Sequence, residues 1–166
     1  MNNTSKISWA AALVLALSFF QPYATAFAGQ GEAPVVTVKV EASFADILEA
    51  VNAAIGGRGL NVAHTLPASD MLGRTGPDFG ITEPVFQNAE IVEFCSAKIS
   101  HNLARANPEN ILLCPFTIAV YVLESDPEYV RLSYRVPYLM GDEASAEAVQ
   151  QMVKLVEGVI AEAKDW

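Results

Sequence analysis

The segment ILLCPFTIAVYVLESDPEYVRLSYRV, residues 111–136, decides the fold because it holds two strand-forming runs and a turn between them. The first run, Ile111 to Leu123, is apolar and rich in β-branched and aromatic residues, which predicts a central strand buried on both faces. The second run, Tyr129 to Val136, alternates apolar and polar side chains, as half-buried strands do. Residues 125–128, Ser-Asp-Pro-Glu, form a turn signal. We therefore expect an antiparallel hairpin here.

The remaining elements follow from the spacing of the apolar residues, because alternation predicts strands and recurrence every three to four residues predicts helices. Strands are expected at 35–40, 60–66 and 90–94, and helices at 44–55, 96–106 and from about 143 to 164. This order predicts an α+β, two-layer sandwich with a mixed, mostly antiparallel sheet of about five strands and helices on one face. The helix between strands three and four predicts a right-handed crossover, and hence a parallel pair.

The segment 67–87 separates the second and third predicted strands and is rich in Gly, Pro, Ser, Asp and Thr. Ser69 to Arg74 could form one short helix, and the rest predicts irregular structure. Connections of this length in a compact domain are often functional or mobile. The segment is therefore either a binding region or a variable surface loop.

The N-terminal residues have the three parts of a secretory signal peptide. Lys6 lies in a short polar region, residues 7–20 are apolar, and Ala26-Phe27-Ala28 precedes the expected cleavage point. The apolar run is shorter than the roughly 20 residues that a membrane-spanning helix needs. The pattern predicts a signal peptide at 1–28, a single domain at 29–166, and a periplasmic or secreted protein that is not membrane-bound after cleavage.

The formal net charge of the chain is −9, and removal of Lys6 with the leader leaves about −10. Nucleic acids and anionic lipids are bound through clustered Lys and Arg side chains, so this composition argues against both as partners. The expected partner is a small molecule or another protein.

Cys95 and Cys114 are the only cysteines, and an even number in an exported protein suggests a disulfide. If strands three and four were parallel, however, the two sulfurs would lie at opposite ends of the sheet. Their Cα atoms would then be farther apart than the roughly 4.4–6.8 Å that a disulfide allows. Two buried free thiols are therefore an equal alternative.

Three further interpretations concern chemistry at these positions. Cys95 precedes a predicted helix N-terminus, which favours a thiolate for redox exchange or for binding a soft metal. Cys95, His101 and Cys114 could form a metal site, although their spacing matches no zinc pattern and a solvated surface histidine is the alternative. No motif implies a cofactor, and a noncovalent haem held by His64, His101 or a Met is an alternative.

The charged residues of the predicted strands give two more candidates. Glu93 could act as a general base if it faced into the sheet, or it could be a charge at the sheet rim. Arg131 and Arg135 share one side of the last strand with Tyr129 and Ser133. Together they could bind an anion. The alternative for these arginines is cross-strand salt bridges with neighbouring acids.

Four segments together resemble the domain of unknown function 302 family: residues 91–108, from Ile91-Val92-Glu93-Phe94-Cys95 to Asn107-Pro108, Leu112-Leu113-Cys114-Pro115-Phe116, Val120-Tyr121-Val122 and Val136-Pro137. The early helix from Phe44 also resembles the family's first helix. The chain departs from the pattern in the order Cys114-Pro115 and in Ser96, which stands where the family has Asn-Pro. The resemblance implies a small α+β domain that can pair as a homodimer, and it implies no reaction.

The functional expectation rests on these patterns together with the motifs that are missing from the sequence. We find no nucleophile elbow, phosphate-binding glycine loop or metalloprotease helix motif. The sequence therefore favours a non-enzymatic ligand- or partner-binding module. A thiol-redox or metal- or haem-handling protein that uses Cys95 and Cys114 is the alternative.

Overall fold

A computed structural model describes residues 35–137 and 143–166. The predicted signal peptide lies outside the described residues. Five strands are present: β1 (Val35–Val40), β2 (Val62–Pro67), β3 (Phe86–Phe94), β4 (Phe116–Leu123) and β5 (Asp126–Arg135). The α-helices are α1 (Phe44–Gly57), α2 (Ala68–Thr75), α3 (Ala97–Ala106) and α4 (Glu143–Lys164), and Gly76–Phe79 and Pro108–Leu113 are 3₁₀ helices. None of the helices in these ranges is both long and apolar enough to span a bilayer.

The strands form one sheet in the order β1-β5-β4-β3-β2. Each of its four neighbouring pairs is antiparallel. The predicted hairpin is confirmed, with Val120 opposite Leu132 and Val122 opposite Val130. The predicted α+β class is confirmed as well, because helices pack against this sheet.

The predicted parallel pairing of strands three and four is wrong, because β3 and β4 are antiparallel. The nine residues of β3 extend over about 30 Å, whereas the ten residues of α3 rise by only about 15 Å. The helix is too short to carry the chain back along the whole strand. Asn107 ends it, and the 3₁₀ helix Pro108–Leu113 returns the chain to the end of the sheet that it had left.

The core lies between one face of the sheet and a layer formed by α1, α3 and α4. Phe94 and Phe116 are fully buried there and meet edge to face, with ring centroids 5.8 Å apart. The helices contribute aliphatic side chains such as Val51 from α1 and Val156 from α4. Ser43 caps α1, since its side chain accepts a hydrogen bond from the Asp46 amide.

The prediction of one long strand from Ile111 to Leu123, buried on both faces, is wrong. Ile111 and Leu112 belong to the 3₁₀ helix and are exposed. The strand itself begins at Phe116, and its burial alternates, so that the sheet face opposite the helices is partly open to solvent. Apolar content alone does not separate a strand from a short helix, so the apolar run by itself gave the wrong boundary.

The segment 67–87 is more ordered than predicted. It contains α2 and the 3₁₀ helix Gly76–Phe79, and β3 already begins at Phe86. The Ser69 hydroxyl accepts a hydrogen bond from the Ala89 amide at 3.0 Å, which joins α2 to β3. The side chains of Phe79 and Ile81 are exposed, so the segment presents apolar surface.

Candidate functional site

The sheet face opposite the helices, called the open face below, carries most of the polar candidates. Since Val92 and Phe94 point into the core, Glu93 points to the open face. The strand register sets Glu93 between His64 of β2 and Thr117 of β4. Arg135 pairs with Val35 of β1 at the same end of the sheet. The fold therefore brings Glu93 and Arg135 to one end of the open face, on strands that are not neighbours.

A groove of about 390 Å³, called the rim groove below, lies at this end of the sheet. Its lining comes from both layers: the first residue of β1, Ile91 of β3, the start of β4, the end of β5, the 3₁₀ helix before β4, and α4. The apolar lining on the outer side includes Val35, Ile91, Leu112, Leu113, Pro115 and Pro137. Polar lining groups include the hydroxyls of Thr117 and Ser133 and the guanidinium of Arg135.

Arg135 is the single charged residue in the described lining of the rim groove. Its side chain is exposed, and it forms no ion pair or side-chain hydrogen bond with any residue of the described ranges. The described lining of the groove contains no carboxylate, although the chain has 19 acidic and 10 basic residues. Arg135 is therefore free to pair with an anion that enters the groove.

A chain of three hydroxyl groups crosses the open face beside Arg135. The Ser133 hydroxyl lies 2.7 Å from that of Thr37 and 3.1 Å from that of Tyr121. Each hydroxyl has one proton, and Ser133 is buried between the other two. The two hydrogen bonds use two of the three protons, so one hydroxyl of the chain keeps a proton for another acceptor.

Arg131 has a different role from Arg135, although both lie on β5 and face the same side. Arg131 is buried, and its guanidinium pairs with the Asp126 carboxylate and donates to the backbone oxygen of Tyr129. Lys39 binds the same carboxylate at 3.0 Å. The hydrogen bond from Lys39, followed by that from Arg131, lowers the pKa of Asp126 below its ordinary value. Arg131 is thus committed to an ion pair within the sheet.

Cys95 and Cys114 are joined by a disulfide, with their Cα atoms 6.2 Å apart. The expectation that their sulfurs lie at opposite ends of the sheet is wrong, because the antiparallel pairing places the end of β3 beside the start of β4. Both cysteines are half-buried. While the bridge is intact, neither sulfur is a thiolate that could attack a disulfide or bind a metal.

The bridge lies next to the rim groove. Cys114 comes directly between Leu113 and Pro115, which both line the groove. The disulfide therefore anchors the segment that forms one wall of the groove to the end of β3.

The histidines and Glu93 are not gathered into a reactive cluster. His101 is exposed on α3, in the helix layer, and does not line the rim groove. His64 and Glu93 are cross-strand neighbours but share no hydrogen bond or ion pair. Within the described ranges, no three His, Cys, Asp or Glu side chains come together as metal ligands.

Tyr134 lines the rim groove from the helix side. Its hydroxyl donates to Glu157 of α4 at 2.9 Å. Burial, together with this hydrogen bond and the charge of Glu157, raises the pKa of Tyr134 to about 12. The phenol therefore stays neutral at physiological pH and acts as a fixed link between β5 and α4.

The sequence named Arg135 and the two cysteines as candidates, which stays a prediction, but it did not predict the apolar wall of the groove. Leu112 is 79 % exposed, and the sequence placed it inside a buried strand. A signal was available, because Asn107-Pro108 and Pro115 both interrupt a strand pattern around residues 108–115. Two prolines so close together favour a turn or short helix that ends before β4.

A second cavity, of about 410 Å³, lies between α3 and α4. Its lining includes Asn102, Arg105, Glu147 and Gln151. Asn102 donates to Gln151 at 3.0 Å, so the polar side chains there already bind one another across the two helices. This cavity offers less apolar surface to a ligand than the rim groove does.

Comparison with known proteins agrees with the fold. The model of the family described as domain of unknown function DUF302 matches residues 36–163. A solved structure, that of an uncharacterized conserved DUF302 protein from Bacillus stearothermophilus, superposes with a TM-score of 0.65. The two chains are 16 % identical, and the alignment covers 78 % of this chain and 97 % of the other. No curated protein matches the chain. The family match spans most of the sequence and the fold agrees, so this chain belongs to the family of domain of unknown function DUF302.

Proposed function

We propose that this protein is an exported binding module that holds a small molecule in the rim groove. The groove itself carries the proposal, because its volume of about 390 Å³ lies in the range of small-molecule sites. Its lining combines apolar side chains with a few polar groups, as ligand sites do. Strands β4 and β5 and the disulfide hold this lining in place, so the site is largely formed before a ligand arrives.

The groove's chemistry favours binding over turnover. Its described lining contains neither a carboxylate nor an imidazole, which are the usual general bases of hydrolytic enzymes. Its aliphatic hydroxyls belong to Thr117 and Ser133, and neither has a base as hydrogen-bond partner among the described residues. The phenol of Tyr134 does donate to a carboxylate, that of Glu157, but its raised pKa keeps it neutral. A nucleophilic hydroxyl needs such a base to become reactive.

Native mass spectrometry of the mature protein isolated from the periplasm tests the proposal. We expect a population with the added mass of a small molecule. The variant Leu112→Gln should lower that population, because Leu112 is an exposed part of the groove wall. Ile81→Gln is the matched control, since Ile81 is 61 % exposed in the segment 67–87 and does not line the groove.

Two results would contradict this proposal. One is a mass spectrum with the bare chain alone. The other is a ligand that is lost in Ile81→Gln and kept in Leu112→Gln, which would move the binding site to the segment 67–87.

A thiol-redox role is the second candidate, and the half-buried disulfide favours it. Such a role requires exchange with a dithiol partner at ordinary cellular potentials. Thiol labelling of Cys95 and Cys114 in glutathione buffers of graded potential is the test. Opening at about −200 mV would support exchange, whereas a bridge that stays closed below about −300 mV would mark a structural disulfide.

A further inference from the structure

We infer that the ligand of the rim groove is an amphipathic organic carboxylate with a single negative charge. Arg135 binds the carboxylate, and the apolar wall around Leu112 covers the rest of the molecule. This inference rests on the proposed function, because it names the chemical class of the ligand in the same groove.

The charge in the described lining of the groove comes from Arg135. Arg135 is exposed and unpaired among the described residues, whereas Arg131 on the same face is satisfied by Asp126. A guanidinium presents a fork of N–H donors that fits the two oxygens of a carboxylate. The chain has a net charge of −9, and the groove's described lining supplies one positive charge. The single positive charge of Arg135 balances one negative charge on the ligand, and the field of the acidic protein repels a second negative charge on it.

Three hydrogen-bonded hydroxyl groups lie near Arg135, and the middle one belongs to Ser133 of the groove lining. The chain Thr37–Ser133–Tyr121 has one proton more than its two internal hydrogen bonds use. If Tyr121 donates to Ser133 and Ser133 to Thr37, the hydroxyl of Thr37 can donate outward. A carboxylate oxygen can accept this proton, and it is the positive charge of Arg135, not the hydroxyls, that disfavours an ammonium group. The hydroxyl of Thr117 in the groove adds a further donor.

Part of the apolar lining of the groove is exposed to water. Leu112 and Val35 are exposed by 79 % and 61 %, although both are large apolar side chains. They line the same groove as the half-buried Ile91. Covering this surface with an apolar ligand removes it from water, which is favourable in proportion to the area covered. A small hydrophilic anion such as acetate would leave the wall exposed.

The experiment compares two probes of nearly equal size, sodium octanoate and octanamide, below the micellar concentration of the former. Each is titrated into the mature protein, and backbone amide chemical shifts are followed by NMR. We expect shifts at residues 112–117 and 133–135, with octanoate binding roughly tenfold more tightly, as a charge-assisted pair implies. Arg135→Gln should remove this difference. Arg105→Gln is the matched control, because Arg105 is an exposed arginine outside the groove, and it should keep the difference.

The outcomes separate the inference from the proposed function. Equal affinity for the two probes in the groove would overturn the anion assignment and leave the groove as a binding site. An octanoate preference that survives Arg135→Gln would overturn the role of Arg135. Absence of shifts with both probes would also overturn the inference, whereas the proposed function fails on the bare mass of the periplasmic protein.

Discussion

Removing the Cys95–Cys114 bridge should destabilise the domain by an amount that its position in the chain predicts. The two cysteines are 19 residues apart in sequence, and the bridge closes this loop in the unfolded chain. The loss of chain entropy for such a loop corresponds to about 3 kcal/mol at 25 °C. Domains of this size are stable by about 5–15 kcal/mol, so the bridge supplies a substantial share. The corresponding fall in melting temperature is roughly 10–15 °C.

The assay is urea unfolding followed by far-UV circular dichroism. It is applied to the oxidised protein, the reduced protein, Cys95→Ala, Cys114→Ala and the double variant. Any one of these changes breaks the same bridge, so the three variants should be about equally stable and should match the reduced protein. The effects of the two single substitutions should therefore not add. The reduced wild-type chain keeps both side chains and separates loss of the bridge from loss of packing.

Two results would refute this reasoning. One is a double variant whose free energy of unfolding lies within about 1 kcal/mol of the oxidised protein. The other is additivity of the two single substitutions, which would mean that each cysteine contributes through its own packing. The experiment also bears on the redox candidate, because a bridge that contributes so much to stability resists reduction in the folded protein.

Three further predictions concern the core and the titrating groups. Phe116→Ala should lower the free energy of unfolding, measured in urea, by about 3–5 kcal/mol, because the side chain is fully buried. A loss below about 1 kcal/mol would contradict the burial of Phe116 in the core. The hydrogen bonds from Lys39 and Arg131 hold the pKa of Asp126 below its ordinary value of 3.8. This carboxylate therefore stabilises the fold above about pH 4, and its contribution to stability is lost as the pH falls through the lowered pKa. Asp126→Asn should therefore flatten the dependence of unfolding free energy on pH below about 4, and an unchanged slope would argue against the ion pair. The pKa of Tyr134 is about 12, against 10.0 for the ordinary phenol, so between these values the phenol is neutral in the folded chain and ionised in the unfolded chain. The free energy of unfolding should thus fall from about pH 10 to 12 in the wild type and fall less in Tyr134→Phe. Equal losses in the two proteins would show that the hydrogen bond to Glu157 does not hold the phenol proton.

The periodic elements could be predicted from the sequence because each depends on neighbours along the chain. β5 was recognised from the alternation of Val130, Leu132 and Tyr134, and α4 from its apolar stripe. The direction of β4 could not be predicted in this way. It depends on whether α3 is long enough to return the chain along the whole of β3, and that requires the lengths of both elements in space.

The candidate site shows the same division. Arg135 and Arg131 look equivalent in the sequence, since both alternate with apolar residues on one strand. They differ only through Asp126, which reaches one of them and not the other. Similarly, the sequence could not decide whether Cys95 and Cys114 form a disulfide, because the distance between them depends on the pairing of β3 with β4.

The amino-acid sequence by itself determined the α+β class, the hairpin of β4 and β5, the faces of the helices and the family, because periodicity and local motifs act over a few neighbouring residues. It also supplied the prediction of export, which rests on residues before the domain. Only the tertiary structure decided the antiparallel order of the whole sheet, the Cys95–Cys114 bridge and the rim groove with its unpaired Arg135. Each of these needs segments far apart in the chain to meet, and their meeting is set by element lengths and by packing of the shared core.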